Sequence, residues 1–168
     1  MSEAAQPSPG QGPAAGPVRV AVQVRFSDVD VFGHVNNAAY LRYLEDARFA
    51  SFEAAGLCAD GTVLPRVLVM ARQEIEYLRP LLPRCGFVAG PAGISGVAVD
   101  TWVLRVGRSS VDLGHEVLDP AAGVVYARSR SRMVCVDRAT GQPQPLDGEH
   151  RAQLLRHLGE DVPLRPWE

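Results

Sequence analysis

Cysteine is scarce in this sequence, and its few cysteines lack the spacing of a metal site or a disulfide framework. They are Cys58, Cys85 and Cys135, and none of them belongs to a CxxC motif. An odd number of widely spaced cysteines disfavours both a zinc ribbon and a set of structural disulfides. We therefore expect three reduced thiols and a cytoplasmic location.

Long hydrophobic runs and a strong net charge are also absent. No apolar run approaches the roughly 18–20 residues that a membrane-spanning helix needs, so we expect no membrane partner. The formal net charge is −2 and the isoelectric point is about 6.1, whereas nucleic-acid binding requires a basic surface. The first residues lack a cationic stretch followed by an apolar one, which disfavours a signal peptide.

The length and composition indicate one globular domain with a tail. The chain has 168 residues, of which 46% are hydrophobic and 21% charged, within the usual size of a single domain. Residues 1–17 are rich in Pro, Gly and Ala, cannot bury a core, and are predicted to form a disordered tail. Residues 18–168 are predicted to form the domain.

Five segments have the composition and alternation of β-strands. In residues 18–26, Val18, Val20, Val22 and Val24 share one face and mostly polar residues fill the other, which predicts a strand with one buried side. The later segments are separated by turn residues such as Gly, Pro, Asp and Ser. The predicted strands are 18–26, 67–78, 94–106, 111–118 and 123–136.

A helical pattern follows the first predicted strand. Asn36 or Asn37 begins it, because Asn is a favoured N-cap residue, and Gly56 is expected to end it. Small and apolar residues at three- and four-residue spacing predict a buried face. This face comprises Tyr40, Leu41, Leu44, Ala47, Ser51 and Ala55. The ion pairs expected on the polar side are Arg42–Asp46 and Glu45–Arg48.

A second, short helix is predicted for residues 147–158, with Gly159 ending it. The order is therefore strand, long helix, four further strands and a closing helix. Strands that run consecutively without intervening helices form antiparallel sheets. This order predicts an α+β architecture.

The segment DVDVFGHVNNAAYLRYLEDAR, residues 28–48, resembles the signature of the 4-hydroxybenzoyl-CoA thioesterase family of hotdog-fold proteins. The family pattern has an Asp, a Gly-His pair, Val-Asn, aromatic residues and Glu-x-Ala-Arg at fixed spacing. The matching positions are Asp30, Gly33, His34, Val35, Asn36, Tyr40, Tyr43, Glu45, Ala47 and Arg48. The resemblance covers residues 18–136 and implies the hotdog fold, an antiparallel β-sheet of about five strands wrapped around a long central α-helix.

Members of this family mostly hydrolyse thioesters of coenzyme A (CoA), and some act on acyl carrier protein. The resemblance implies that no metal or cofactor is needed. It also implies a homodimer or homotetramer with the active site at the subunit interface. Asp30 occupies the position of the catalytic carboxylate, and His34 that of a proposed second catalytic group. The acyl carrier protein branch tends to have an Asn where this sequence has Phe32, which disfavours that branch's Asp/Asn/His arrangement.

The chemistry of thioester hydrolysis suits this segment. The reaction needs a nucleophile or an activated water, and a carboxylate such as Asp30 serves as nucleophile or as general base. The developing oxyanion needs hydrogen-bond donors, and a helix start offers backbone N–H groups and the positive end of the helix dipole. The candidate substrate-binding and oxyanion residues are Gly33, Val35, Asn36, Asn37 and Tyr40.

Several of these residues also have a structural interpretation. Asp28 is interpreted as a cap of the loop through an Asx turn. His34 is either a structural histidine or a substrate or catalytic group. Tyr40 and Tyr43 belong more often to a core or an interface than to a catalytic site. Asn36 and Asn37 are most simply caps, whose backbone amides still have the potential to bind substrate.

The segment Arg128-Ser129-Arg130-Ser131-Arg132 places three arginines on one face of a strand and two serines on the other. The row is interpreted mainly as a solvated or subunit-contact face paired with acids. The alternative is that Arg128, Arg130 and Arg132 contact the phosphates of CoA, because a guanidinium matches phosphate oxygens bidentately.

The remaining histidines are not expected to form a metal site. His115 and Glu116 are adjacent on a strand and therefore point to opposite faces. His150 and His157 lie on the predicted C-terminal helix and are expected to be solvated.

Three functions remain open on this basis. The first is an acyl-CoA thioesterase in which Asp30 is the base or nucleophile. The second is an acyl carrier protein thioesterase, and the third is a non-catalytic hotdog protein that binds acyl groups. Asp30 discriminates among them, because a pure binder has no need for a carboxylate at the thioester.

Overall fold

The computed structural model describes residues 15–54, 66–82 and 97–166. Within these ranges the chain forms five strands, two α-helices and a short 3-10 turn. In chain order they are β1 (Val18–Val22), the 3-10 turn Phe26–Asp28, α1 (Asn37–Ala54), β2 (Arg66–Tyr77), β3 (Val97–Val106), β4 (Ser110–Asp119), β5 (Val124–Asp137) and α2 (Gly148–Leu155).

The strands form one antiparallel sheet in the order β1-β3-β4-β5-β2. Helix α1 packs on one face of it, mainly against β1 and β3. We call this the inner face of the sheet and the opposite one the outer face. The predicted α+β architecture, with five antiparallel strands and one long helix, is confirmed. Among the described residues, no helix combines the length and the apolar character that a membrane span requires.

Strand β1 is shorter than predicted, because it ends at Val22 and not at residue 26. Val22 pairs with Val97, the first residue of β3. The chain then bends into the 3-10 turn, where the N–H of Asp28 donates to the carbonyl of Arg25 at 3.0 Å. Val24 stays buried all the same, so the apolar alternation continues beyond Val22 and does not mark the end of the strand.

The buried side of α1 is close to the predicted one. Its buried residues are Ala39, Tyr40, Tyr43, Leu44, Ala47, Arg48, Ser51 and Phe52. Leu41 was predicted to be buried and is 45% exposed. It shares a flank of the helix with Arg48, about two turns away, but near the helix start that flank is open to solvent. The expected core residue Ala55 and the expected stop Gly56 lie outside the described residues.

Helix α2 is shorter than the predicted range 147–158 and is followed by an extended segment. Asp147 caps it by accepting from the N–H of His150 at 2.8 Å. After α2 the chain runs beside β3: the N–H of Val103 donates to the carbonyl of His157 at 2.8 Å, and the N–H of Gly159 donates to the carbonyl of Val103 at 2.8 Å. We call residues 157–166 the C-terminal strap.

The C-terminal strap crosses the outer face of the sheet. Arg130 of β5 pairs with Asp161 of the strap at 2.6 Å, and Arg165 near its end pairs with Glu76 of β2. The strap therefore passes from β3 to β2, the opposite edge of the sheet. The sequence does not predict this strap, because residues 157–166 have no periodic apolar pattern.

The start of the described chain packs against the strap. His157 was expected to be solvated, but it is half-buried and its Nδ1 lies 2.9 Å from the carbonyl oxygen of Gly16. The N–H of Ala15 donates to the carbonyl of Arg156 at 2.8 Å. The prediction for His157 is therefore wrong, since a segment distant in sequence covers it.

Close packing under the strap gives a stability prediction at Gly114. A Cβ atom at this position would lie 2.6 Å from the Trp102 ring and 2.8 Å from Val162 Cγ2, closer than real Cβ contacts allow. We expect Gly114→Ala to destabilise the protein by about 1–3 kcal/mol, the usual cost of overpacking. Chemical denaturation checks this. Gly148→Ala is the matched control, because a Cβ there meets nothing within 4 Å. An equal stability of the two variants would contradict the prediction.

Candidate active site

Asp30 lies in a tight turn between the 3-10 turn and α1. Its N–H donates to the carbonyl of His34, and its carbonyl accepts from the N–H of Gly33, both at 3.0 Å. Gly33 has a φ of +79°, in the left-handed region that favours glycine. Gly33 therefore has a conformational role, because it closes the turn that presents Asp30.

Two contacts hold the carboxylate of Asp30. Its Oδ1 accepts from the N–H of Phe32 at 2.9 Å, and its Oδ2 lies 3.5 Å from Nδ1 of His34. The ring of Phe32 stacks on the imidazole, with 6.0 Å between centroids and 22° between planes. The side chains of Asp30 and His34 are 17% and 39% exposed. The structure therefore brings these two predicted residues together at an accessible position.

Besides that of Gly33, two more of the candidate oxyanion amides already have acceptors. The N–H of Val35 donates to the carbonyl of Leu81 at 2.8 Å, and the N–H of Asn36 donates to the carbonyl of Asp28 at 2.8 Å. A backbone N–H with an intramolecular acceptor is poorly placed to bind a substrate oxygen. In this structure these two amides fix the loop at the start of α1.

The next amide along the chain is different. Asn36 is the N-cap, since its Oδ1 accepts from the N–H of Ala38 at 2.8 Å. Asn37 is the first residue of α1 and is exposed, and its N–H has no acceptor among the described residues. The first amides of a helix are orphan donors at the positive end of the helix dipole. The Asn37 amide is therefore available to a ligand.

Two tyrosines border the helix start. Tyr40 is 2% exposed, and burial raises its pKa to about 12. Its ring meets that of Tyr77 edge-on, with 5.3 Å between centroids. The Tyr77 hydroxyl donates to the carbonyl of Asn37 at 3.0 Å. Tyr77 was not predicted as a site residue, because its contact with the helix start depends on where β2 runs in the fold.

Asp28 is a buried residue that stabilises the loop before α1. It is 2% exposed, and its carboxylate accepts from the Arg25 N–H at 2.9 Å, Arg42 Nη2 at 2.8 Å and the Tyr43 hydroxyl at 2.7 Å. Burial raises the pKa of Asp28, but these donors together outweigh burial and leave the pKa below its usual value. The predicted Arg42–Asp46 pair is wrong, because Arg42 reaches Asp28 instead. Asp28 has a structural role, but the predicted Asx turn is not formed, because the N–H of Asp30 donates to the carbonyl of His34.

The arginines of β5 lie on the outer face, and each is paired with an acid. The pairs are Arg128–Glu116 at 2.8 Å, Arg130–Asp161 at 2.6 Å and Arg132–Asp112 at 2.6 Å. The intervening Ser129 and Ser131 are buried on the inner face, as the alternation predicted. The arrangement matches the interpretation of a surface paired with acids.

A buried polar cluster lies on the inner face. His115 is fully buried, with Nδ1 at 3.0 Å from Thr101 Oγ1 and Nε2 at 3.0 Å from Ser131 Oγ. Burial, and to a lesser degree the charge of Arg48, lower the pKa of His115 to about 3, so its imidazole is neutral near pH 7. The predicted Glu45–Arg48 ion pair is not formed, because the Arg48 side chain turns into the core.

No group of three or more His, Cys, Asp or Glu side chains in the described part of the chain has a metal-binding arrangement. Cys135 is buried and is not part of a disulfide. Cys58 and Cys85 lie outside the described residues.

The match to known proteins decides the family. Residues 24–154 match the thioesterase-like superfamily. The chain belongs to this superfamily. The predicted hotdog fold is confirmed, and thioester hydrolysis is the activity that the family supports. The narrower assignment to 4-hydroxybenzoyl-CoA thioesterases stays a prediction.

Three relatives illustrate the similarity. Long-chain acyl-CoA thioesterase FadM of Escherichia coli is 30% identical over 139 residues, which cover 82% of this chain and 96% of FadM. A thioesterase of Thermus thermophilus, solved with coenzyme A and zinc, is 34% identical with a TM-score of 0.60, and the match covers 81% of this chain and 90% of that one. The chloroplastic acyl-acyl carrier protein thioesterase ATL2 of Arabidopsis thaliana is 31% identical over 81 residues, 48% of this chain and 43% of ATL2.

Proposed function

We propose that this protein is an acyl-CoA thioesterase, which hydrolyses a CoA thioester to a free acid and CoA. One observation carries the proposal: the loop that presents the Asp30 carboxylate leads directly into a helix whose first amide, that of Asn37, has no acceptor among the described residues. A base or nucleophile and an oxyanion donor are thus supplied by one short segment. The similarity to an acyl-CoA thioesterase over most of both chains supports CoA as the carrier.

We propose a general-base route for the reaction. Asp30 removes a proton from a water molecule, and the water oxygen bonds to the thioester carbon. The N–H of Asn37 stabilises the resulting oxyanion, a contribution of about 3 kcal/mol for one well-placed donor. When the intermediate collapses, the carbon–sulfur bond breaks and the thiolate leaves with the proton that Asp30 had accepted. We propose that His34, 3.5 Å from Asp30, orients the carboxylate or relays this proton.

We propose nucleophilic attack by Asp30 as the alternative route. Its carboxylate oxygen would then attack the thioester carbon and expel the thiolate, giving a mixed anhydride that water hydrolyses in a second step. Both routes use the same amide as oxyanion donor. Gly33 serves either route by closing the turn, and Tyr40 by supporting Tyr77 beneath the helix start.

We propose that the active site is completed by a second copy of the chain. Three apolar side chains flank Asp30 in the loop: Phe26 is 78% exposed, Val31 95% and Phe32 80%. An apolar patch of this kind on a folded protein marks an interaction site. Since Phe32 touches both Asp30 and His34, the interface and the reaction centre would coincide in a homodimer or homotetramer.

The arginines of β5 are the candidate contacts with the phosphates of CoA. A phosphate would have to displace the acid from Arg128, Arg130 or Arg132 in order to bind it bidentately. We propose this exchange as the only route by which the row contacts CoA, and otherwise regard it as a surface network.

An acyl carrier protein thioesterase is the alternative that the similarity to ATL2 favours. That relative is matched over less than half its length, and Phe32 stands where the corresponding branch tends to have an Asn. A non-catalytic acyl-binding protein is the third candidate, which would leave the Asp30 carboxylate without a role.

Free-thiol release from a panel of acyl-CoAs of different length and aromaticity tests the proposal. We expect turnover of at least one member, and slower release from the same acyl groups carried by acyl carrier protein. Faster release from the carrier-protein esters would favour the alternative. Binding of an acyl-CoA without thiol release from any substrate would favour the binder.

A further inference from the structure

Two buried donors on the inner face of the sheet lack an acceptor. Nη1 of Arg48 and Nε2 of Gln73 are buried, and neither has a hydrogen-bond acceptor among the described residues. Arg48 as a whole is 7% exposed, and burial lowers the pKa of its guanidinium. A buried donor without an acceptor is costly. These donors therefore call for an acceptor that the described residues do not provide.

Both donors lie around His115. Gln73 pairs with Ser131 across β2 and β5, so their side chains share a face, and Ser131 Oγ lies 3.0 Å from Nε2 of His115. The charge of Arg48 acts on the same imidazole. The hydroxyls of Thr101 and Ser131 occupy both ring nitrogens of His115. None of these neighbours accepts a hydrogen bond from Arg48 Nη1 or Gln73 Nε2. The Glu45 carboxylate acts on the charge of Arg48 but leaves Nη1 without an acceptor.

A strip of the inner face connects the proposed oxyanion site to these donors. Since α1 packs mainly on β1 and β3, the inner face of β2 lies to the side of the helix. Tyr77, Ile75 and Gln73 follow one another along this face, spaced by two residues. Tyr77 contacts Asn37, and Gln73 lies about 13 Å farther along the strand. Arg48 lies about 16 Å from Asn37 along the helix axis.

The strip ends at a site with the chemistry of a carboxylate receptor. A guanidinium and a side-chain amide N–H are donors, and an ionised carboxylate is an acceptor of high capacity. A plain alkyl chain in the strip would leave both donors unsatisfied. The Arg48 side chain leans toward the helix start, which shortens the span that a chain has to bridge.

We propose that Arg48 and Gln73 bind a carboxylate at the far end of the substrate's acyl chain. The inference rests on the proposed thioesterase function and names its substrate class: CoA thioesters of medium-length dicarboxylic acids. The thioester lies at Asp30 and Asn37, the methylene chain passes Ile75, and the terminal carboxylate meets the two donors.

Suberoyl-CoA and octanoyl-CoA test the proposal, because they share one chain length and differ in the terminal carboxylate. We expect the wild type to prefer suberoyl-CoA in kcat/KM, and Arg48→Gln to reduce this preference about tenfold or more, mainly through KM. Gln73→Leu reduces it less, since it removes a neutral donor. Arg19→Gln, which removes a surface arginine of β1, keeps the wild-type preference. An unchanged preference in Arg48→Gln would overturn the proposal. For each variant, kcat/KM for suberoyl-CoA and for octanoyl-CoA is measured on the same sample. Partial unfolding lowers both values equally and therefore cancels in their ratio.

Calorimetric binding of free suberate separates this inference from the proposed function. Suberate binding to the wild type and not to Arg48→Gln supports the carboxylate site even if neither ester is hydrolysed, in which case only the thioesterase proposal fails. Absence of suberate binding to the wild type overturns the carboxylate site, and hydrolysis of octanoyl-CoA would then leave the thioesterase proposal intact.

Discussion

Asp30→Asn is expected to lose about a hundredfold to ten-thousandfold in kcat, the range for removal of a general base. The amide cannot accept the proton of the attacking water, and it is a much weaker nucleophile than a carboxylate. It can still accept the hydrogen bond from Phe32, so we expect the turn and the overall stability to be preserved. The measurement is thiol release at saturating acyl-CoA, beside a thermal unfolding curve of the same sample.

Asp46→Asn is the matched control for this prediction. Asp46 is an exposed carboxylate on α1, so the substitution makes the same chemical change on the surface. We expect wild-type kcat and stability from it. If Asp30→Asn and Asp46→Asn are equally active, Asp30 is structural and the proposed reaction loses its base. A loss of kcat that is matched by a loss of folded protein would also contradict the catalytic role.

Local signals in the sequence account for much of the fold. The start of α1 could be predicted at Asn36 and Asn37, because an N-cap depends only on the chain around it. The strands were found from alternation, which did not reveal where β1 ends, since Val24 lies beyond Val22 and is still buried. Features set by tertiary contacts were missed. Helical spacing predicts an ion pair between Glu45 and Arg48, whereas the guanidinium of Arg48 is buried in the core.

In the candidate site, too, features set by the local sequence could be predicted and features set by tertiary contacts could not. Asp30 and His34 were identified through a family resemblance, and the geometry that joins them depends on the left-handed Gly33, which is local. Tyr77 and the engaged amides of Val35 and Asn36 depend on β2 returning to the helix start. No pattern in the sequence reports that return. The residues of the proposed reaction, Asn37 included, could thus be named in advance, but the sequence did not single out the Asn37 amide among the candidate oxyanion donors.

Asp28→Asn is expected to destabilise the protein by about 2–3 kcal/mol at neutral pH. Three donors converge on this buried carboxylate, and an amide offers them one acceptor oxygen and a competing NH₂ group. Because the folded-state pKa of Asp28 is lowered, its stabilisation is fully present above the unfolded value of about 3.9. It is lost as the pH falls through the folded-state pKa. The free-energy difference between wild type and variant therefore stays constant near pH 7 and shrinks below about pH 4.

Denaturant titrations from neutral to acidic pH measure this difference directly. Acid effects common to both proteins, such as protonation of the unfolded chain at His115, cancel in the comparison. Arg42→Gln is the control: its side chain is 58% exposed, so losing its ion pair with Asp28 costs about 1 kcal/mol or less. A larger loss of stability from Arg42→Gln than from Asp28→Asn would mean that the exposed ion pair between Arg42 and Asp28 provides most of the stabilisation. A difference that persists unchanged at low pH would mean that the variant acts through packing and not through the charge of Asp28.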